Sequence, residues 1–226
     1  MTNLLPYEDV ETGRGVVRLQ GHLDSFRDDR PLLFAILGVG ARIDYFHRLP
    51  ERFAACDVVV CHLPGLHSPP LADSSVAAFA AAFDAAIARR LPGRWILRFG
   101  LSVGGLVALA MTEGDAVLAI DPPFSEALLD RFGPLFPQVL GGIVGVDHRS
   151  VLESVNVPAH VLIASRGLNL VADQTLLIGH PRIRAEVVEG SHDLPDEAPK
   201  AVVAALEQAL GRAALDQATG ATLRPL

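Results

Sequence analysis

Apolar residues along this chain fall into short unbroken runs, separated by longer stretches in which they recur every three or four positions. Seven runs are rich in Val, Ile, Leu or Phe: residues 16–19, 32–37, 58–61, 95–99, 116–120, 160–164 and 185–188. Runs this short and continuous are the pattern of strands buried on both faces. Between them, residues 43–55, 74–88, 103–111 and 198–210 carry helical spacing, most plainly in the alanine-rich 74–88. Strand alternating with helix requires right-handed crossovers and a mainly parallel sheet covered on both faces. The expected fold is a three-layer α/β sandwich with about seven strands.

Residues 121–157 break this rhythm with prolines, glycines and scattered apolar side chains, and 122–157 are predicted to form a small lid over a site. Residues 213–226 read as a tail, poorly ordered or lying on the surface. A chain of 226 residues, 50% of them hydrophobic, buries one substantial core, so 1–226 is read as a single domain.

Composition narrows the function. A net charge of −7 offers no field for phosphate backbones or anionic lipid, which argues against nucleic acid as a partner. Residues 1–13 lack the basic start and apolar block of a secretory leader. The apolar stretches 99–111 and 132–146 are interrupted and fall short of the ~18 residues that span a bilayer. Cys56 and Cys61 bracket a predicted strand that holds their Cα atoms roughly 16 Å apart, beyond disulfide reach. These features predict a soluble, cytoplasmic protein with reduced thiols. The sequence leaves its oligomeric state open.

The candidate chemistry begins at Gly100-Leu101-Ser102-Val103-Gly104, which follows a predicted strand and precedes a predicted helix. A serine at such a turn is held in a strained backbone conformation with its hydroxyl exposed, and flanking glycines remove side chains that would collide. Helix N–H groups and the helix dipole favour the negative charge that develops in acyl transfer, with the Val103 N–H as first oxyanion donor. The competing reading of Ser102 is a plain helix cap.

Together these residues resemble the α/β-hydrolase superfamily over residues 32–210. Ile36-Leu37-Gly38-Val39-Gly40 is similar to the strand-end segment carrying the second oxyanion donor, which the resemblance places at the Val39 N–H; Leu37 stands where a histidine is usual. Residues 61–68 resemble the loop after the next strand, with His62 in place of an aspartate and Leu66-His67 in place of a His-Gly pair. Val188-Glu189-Gly190-Ser191-His192-Asp193-Leu194-Pro195 is similar to the terminal strand and histidine loop, which makes His192 the general base. An imidazole beside Ser102 is suited to accept its proton at neutral pH.

In this family the acid lies between serine and histidine in the chain. Many relatives place it just past the strand corresponding to 160–164, but Ser165-Arg166-Gly167-Leu168-Asn169-Leu170-Val171-Ala172 contains no carboxylate. Asp121 ends the strand 116–120, the placement seen in thioesterase domains of assembly-line synthases, and is chosen over Asp173. Reliance on Asn169, or on no acid, stays open. Phe124, Phe132 and Phe136 of the insertion are expected to line a pocket for an apolar acyl group, although core packing explains such residues equally well.

The resulting expectation is a serine hydrolase acting on a small carboxylic ester or thioester, with neither cofactor nor metal, since no histidine pair has ligand spacing. An acyltransferase, or a protein that binds an acyl ligand without turnover, is the alternative. A dinucleotide-binding reading of Gly38-Val39-Gly40 fails because Ile43 occupies the third glycine position and His62, not an acid, ends the following strand.

Overall fold

The computed structural model describes residues 5–41, 56–124, 135–169 and 171–219, without the side chains of 171 and 212–219. The predicted helix 43–55 and Phe132 lie outside the described residues. Eight strands form one sheet: β1 Tyr7–Glu11, β2 Val16–Gln20, β3 Leu32–Ile36, β4 Asp57–Cys61, β5 Ile96–Leu101, β6 Ala116–Ile120, β7 Ala159–Arg166 and β8 Ile183–Ser191. Their order across the sheet is β1-β2-β4-β3-β5-β6-β7-β8. β2 runs antiparallel to β1 and β4, and the pairs from β4 through β8 are parallel.

Each of the seven predicted runs falls on a strand, with Leu37 and Trp95 just outside theirs, and one strand escapes the pattern. β1, Tyr7-Glu8-Asp9-Val10-Glu11, is an acidic edge strand in which only Val10 is buried. Arg18 on β2 chelates Asp9 through two 2.7 Å bonds and lies over the Tyr7 ring, so the sheet edge is held by a polar pairing that a hydrophobic pattern does not register.

Among the described residues the α-helices are α1 Val76–Arg90, α2 Val103–Ala110, α3 Pro137–Leu140, α4 Val171–Gly179, α5 Leu194–Glu197 and α6 Pro199–Thr219. The Ser75 side chain caps α1 by accepting from the Ala78 N–H at 3.2 Å. α6 continues past the predicted helix 198–210 to Thr219, because the alanine-rich sequence there extends the helix.

Successive residues of the central strands alternate between two cores. Leu32, Phe34 and Ile36 pack with α1 and α2, whereas Leu33, Ala35 and Leu37 pack with α6. The molecule is thus the expected three-layer sandwich, with one apolar layer on each side of the sheet. Arg98, on the α1–α2 side, is fully buried and donates to the Met111 carbonyl that follows α2. Burial pushes its guanidinium down to about 10, still charged at neutral pH.

The described part of the insertion belongs to this packing. Val139, Leu140, Ile143, Leu152 and Val155 join the α1–α2 core, and the Gly142 N–H donates to Ser74 Oγ at 2.9 Å, tying the segment to the entrance of α1.

Candidate active site

Ser102 stands between β5 and α2 with φ 56° and ψ −127°, a conformation that L residues adopt only under strain. Three close approaches hold it there. The Ser102 N–H donates to the Ile120 carbonyl at 2.9 Å, tying the turn to the end of β6. A Cβ on Gly100 would lie 2.2 Å from the Gly104 carbonyl oxygen, and one on Gly104 would lie 2.4 Å from that of Ile36. Any side chain at either position forces the backbone apart, so both glycines of the pentapeptide are required by contact.

The Ser102 carbonyl accepts from Gly105 N and Leu106 N and starts α2, but its hydroxyl makes no capping bond to that helix. Ser102 thus occupies the cap position of α2 without making the side-chain bond that the cap reading needs. Gly38 lies directly beside it: a Cβ there would meet the Leu101 carbonyl oxygen at 2.6 Å and Ser102 Cβ at 2.9 Å. This contact brings the Gly38-Val39 segment against the serine turn, and the gap beside Gly38 is filled by protein rather than left for a phosphate.

Asp121 follows β6 directly. Its backbone has φ 42°, and its N–H donates to the Leu162 carbonyl at 2.7 Å. Its carboxylate is wholly buried and accepts four hydrogen bonds. Oδ1 takes Ala164 N at 3.2 Å and Asn169 Nδ2 at 2.9 Å, and Oδ2 takes Leu168 N at 3.0 Å and faces His192 Nδ1 at 2.7 Å. The imidazole is reached from a loop 71 residues away in the chain, and its side chain is one-third exposed while that of Asp121 is 0% exposed. Asp173 is instead paired with Arg149 at 2.9 Å.

Ser102 and Asp121 are thus joined through the Ser102–Ile120 backbone bond, and Asp121 and His192 through their side chains. Among the described residues, no hydrogen bond links the Ser102 hydroxyl to His192. Such contacts are commonly long before substrate binds.

The histidine loop has its own anchor. Glu197 accepts from the Ser191 N–H at 2.8 Å and from the Ser191 hydroxyl at 2.6 Å. These two bonds, with Arg166 nearby, hold its carboxyl below the usual glutamate range. Glu197 and the cradle of Leu168 and Asn169 around Asp121 are contacts of the candidate site that strand and helix patterns do not reveal.

Of the phenylalanines expected to line an acyl pocket, Phe124 is buried in the core, Phe136 is partly buried against it, and Phe132 lies outside the described residues. His62 is also buried, with its ring edge-on to His67 at 4.3 Å. Among the described residues, no group of three His, Cys, Asp or Glu side chains is placed to hold a metal ion. No described helix is long and apolar enough to cross a membrane.

No protein-family model matches the chain, and no curated protein matches it in sequence. Solved structures do. A thioesterase domain from the curacin biosynthetic pathway superposes with a TM-score of 0.67 at 16% identity, covering 91% of this chain and 100% of its own. The chain has the α/β-hydrolase fold. Two further structures agree with this α/β-hydrolase architecture. An N-formylmaleamic acid deformylase from Pseudomonas putida S16 has a TM-score of 0.68 and 17% identity over 89% of this chain and 100% of its own. A carboxylesterase from Bacillus subtilis has a TM-score of 0.67 and 17% identity over 89% of this chain and 90% of its own.

Proposed function

We propose that the chain is a serine hydrolase that cleaves a carboxylic ester or thioester carrying an apolar acyl group. The observation that carries this reading is the buried Asp121 carboxylate bonded to His192 Nδ1 at 2.7 Å, one residue beyond the carbonyl that holds the strained Ser102 turn. Strain at a serine, and a carboxylate buried against one edge of an imidazole, are costly arrangements that general stability does not require.

In this mechanism Asp121 fixes the tautomer of His192 with its proton on Nδ1, leaving Nε2 free to accept the Ser102 proton. Ser102 Oγ attacks the acyl carbon, and the N–H groups of Val39 and Val103 receive the charge on the carbonyl oxygen. The imidazolium returns the proton to the leaving alcohol or thiol. Water then gives a proton to His192 and attacks the acyl carbon; the Ser102 Oγ–acyl bond breaks, Oγ takes that proton back from the imidazolium, and the carboxylic acid leaves. Phe124, Phe132 and Phe136 are assigned to the acyl side of the site on their apolar character.

Labelling with a serine-reactive fluorophosphonate tests the reading. Wild type is expected to be labelled, Ser102→Ala to escape labelling, and a panel of acyl esters and thioesters to lose turnover by at least about 10⁴-fold in the same variant. An unlabelled wild type beside a labelled reference hydrolase refutes the proposal.

A further inference from the structure

The loop after β7 has no carboxylate, yet it surrounds one. Asn169 turns its amide towards Asp121 Oδ1 at 2.9 Å, and Leu168 N and Ala164 N complete the donor set. Asn169 Oδ1 is buried without a partner, so the side chain is held for its donor half alone. The approach is close enough that a Cβ on Gly167 would lie 2.2 Å from Asp121 Oδ2 and 2.6 Å from Ala164 Cβ. Only glycine there lets the loop close over the carboxylate. The charged side chains on either side of Asn169 are engaged elsewhere, Arg166 with Glu189 and Glu197, and Asp173 with Arg149.

From this geometry we infer that Asn169 is a positioning residue, which fixes the rotation of the Asp121 carboxylate so that Oδ2 meets His192 Nδ1. The inference rests on the serine-hydrolase reading of the site. The carboxylate has two oxygens and a free torsion; backbone donors engage both, but the bond to Oδ1 from Ala164 is the longest of the four at 3.2 Å. The Asn169 amide is the stronger restraint on that oxygen, and through it on the imidazole.

The test is a set of substitutions in the full chain. Asn169→Ala is expected to lower kcat about tenfold, the worth of one charge-assisted hydrogen bond, with KM within about twofold. The ratio of its activity to wild type is expected to be flat from neutral to alkaline pH. Asn169→Ser, which keeps a donor, recovers part of the loss and serves where the alanine variant folds poorly. Asn169→Asp sets two carboxylates at hydrogen-bond distance, where they hold one proton between them. The protonated form donates as the amide does, so the activity ratio of this variant to wild type falls as pH rises and that proton leaves. A kcat for Asn169→Ala within twofold of wild type, or an Asn169→Asp deficit independent of pH, overturns the inference.

The low-field proton resonance of His192 Nδ1–H gives a readout that needs no turnover. It is expected to move upfield or broaden in Asn169→Ala, and an unchanged resonance also overturns the inference. If wild type is neither labelled nor active, the hydrolase reading fails, while this resonance still decides the role of Asn169.

Discussion

Asp121→Asn changes one oxygen to an amide nitrogen without altering the size of the side chain, and the surrounding donors determine its effect. The native carboxylate is wholly buried and receives Ala164 N and Asn169 Nδ2 on one oxygen, and Leu168 N and His192 Nδ1 on the other. The new NH₂ group must face one of these pairs. Facing the first opposes the Ala164 N–H, which cannot become an acceptor, and turns the Asn169 amide over, leaving its NH₂ in the buried place where Oδ1 has no partner. Facing the second opposes only Leu168 N, because the one-third exposed imidazole can move its proton to Nε2 and accept at Nδ1. One orphaned buried N–H and the loss of charge assistance amount to about 2–4 kcal/mol of stability. In that tautomer Nε2 is protonated and unable to take the Ser102 proton, so kcat is expected to fall by about 10⁴-fold. Urea unfolding at pH 7 gives the first quantity and turnover of the best ester the second. A stability change below about 0.5 kcal/mol together with a kcat loss under about tenfold refutes the four-donor account of the carboxylate.

Three further outcomes follow from other parts of the site and core. Ser102→Gly is expected to abolish turnover while raising stability by about 1 kcal/mol in urea titration, because φ 56° and ψ −127° suit glycine and strain a serine. Glu197 contributes through a depressed carboxyl, so its contribution is complete above the ordinary glutamate value of 4.5 and is lost as pH falls through the lower folded value. The urea midpoint of wild type is therefore expected to drop more steeply than that of Glu197→Gln as pH is lowered from 5 towards 3. Burial pushes the Cys56 thiol up to about 11 and the Cys61 thiol well above its ordinary range, so neither is expected to react with a thiol reagent at pH 8 until denaturant is added; rapid labelling of the folded protein counts against the packing around β4.

The parts of this molecule legible in sequence are those set by local spacing. Gly100 and Gly104 flank Ser102 within one turn, and their necessity follows from backbone contacts made inside or next to that turn. Asp121 is legible as the residue that ends a buried run, and the strands of the central sheet are legible because both faces are covered. β1 is hidden because an exposed acidic edge carries one buried residue, and its pairing depends on Arg18. α4 is hidden as well: Leu177 alone among its described side chains is a buried aliphatic, while Leu176 and Ile178 are exposed, so no apolar stripe marks it. The donor role of Asn169 arises where chain segments 48 residues apart converge. Its residue type signals only that no charge is present, and the sequence does not show that the charge it serves comes from the neighbouring strand.

The fit of Gly167 over the Asp121 carboxylate has a consequence for how this site can change. Placing an acid at position 169 while Asp121 remains forces two carboxylates to share one proton, and removing Asp121 first strands three buried donors. Every single-residue step away from the present arrangement is therefore a loss, and only concerted replacement can relocate the acid. Geometry of this kind acts as a ratchet: with the loop closed on its neighbour's charge, variation is diverted away from Asp121 and the imidazole it holds, which stay fixed while their surroundings drift.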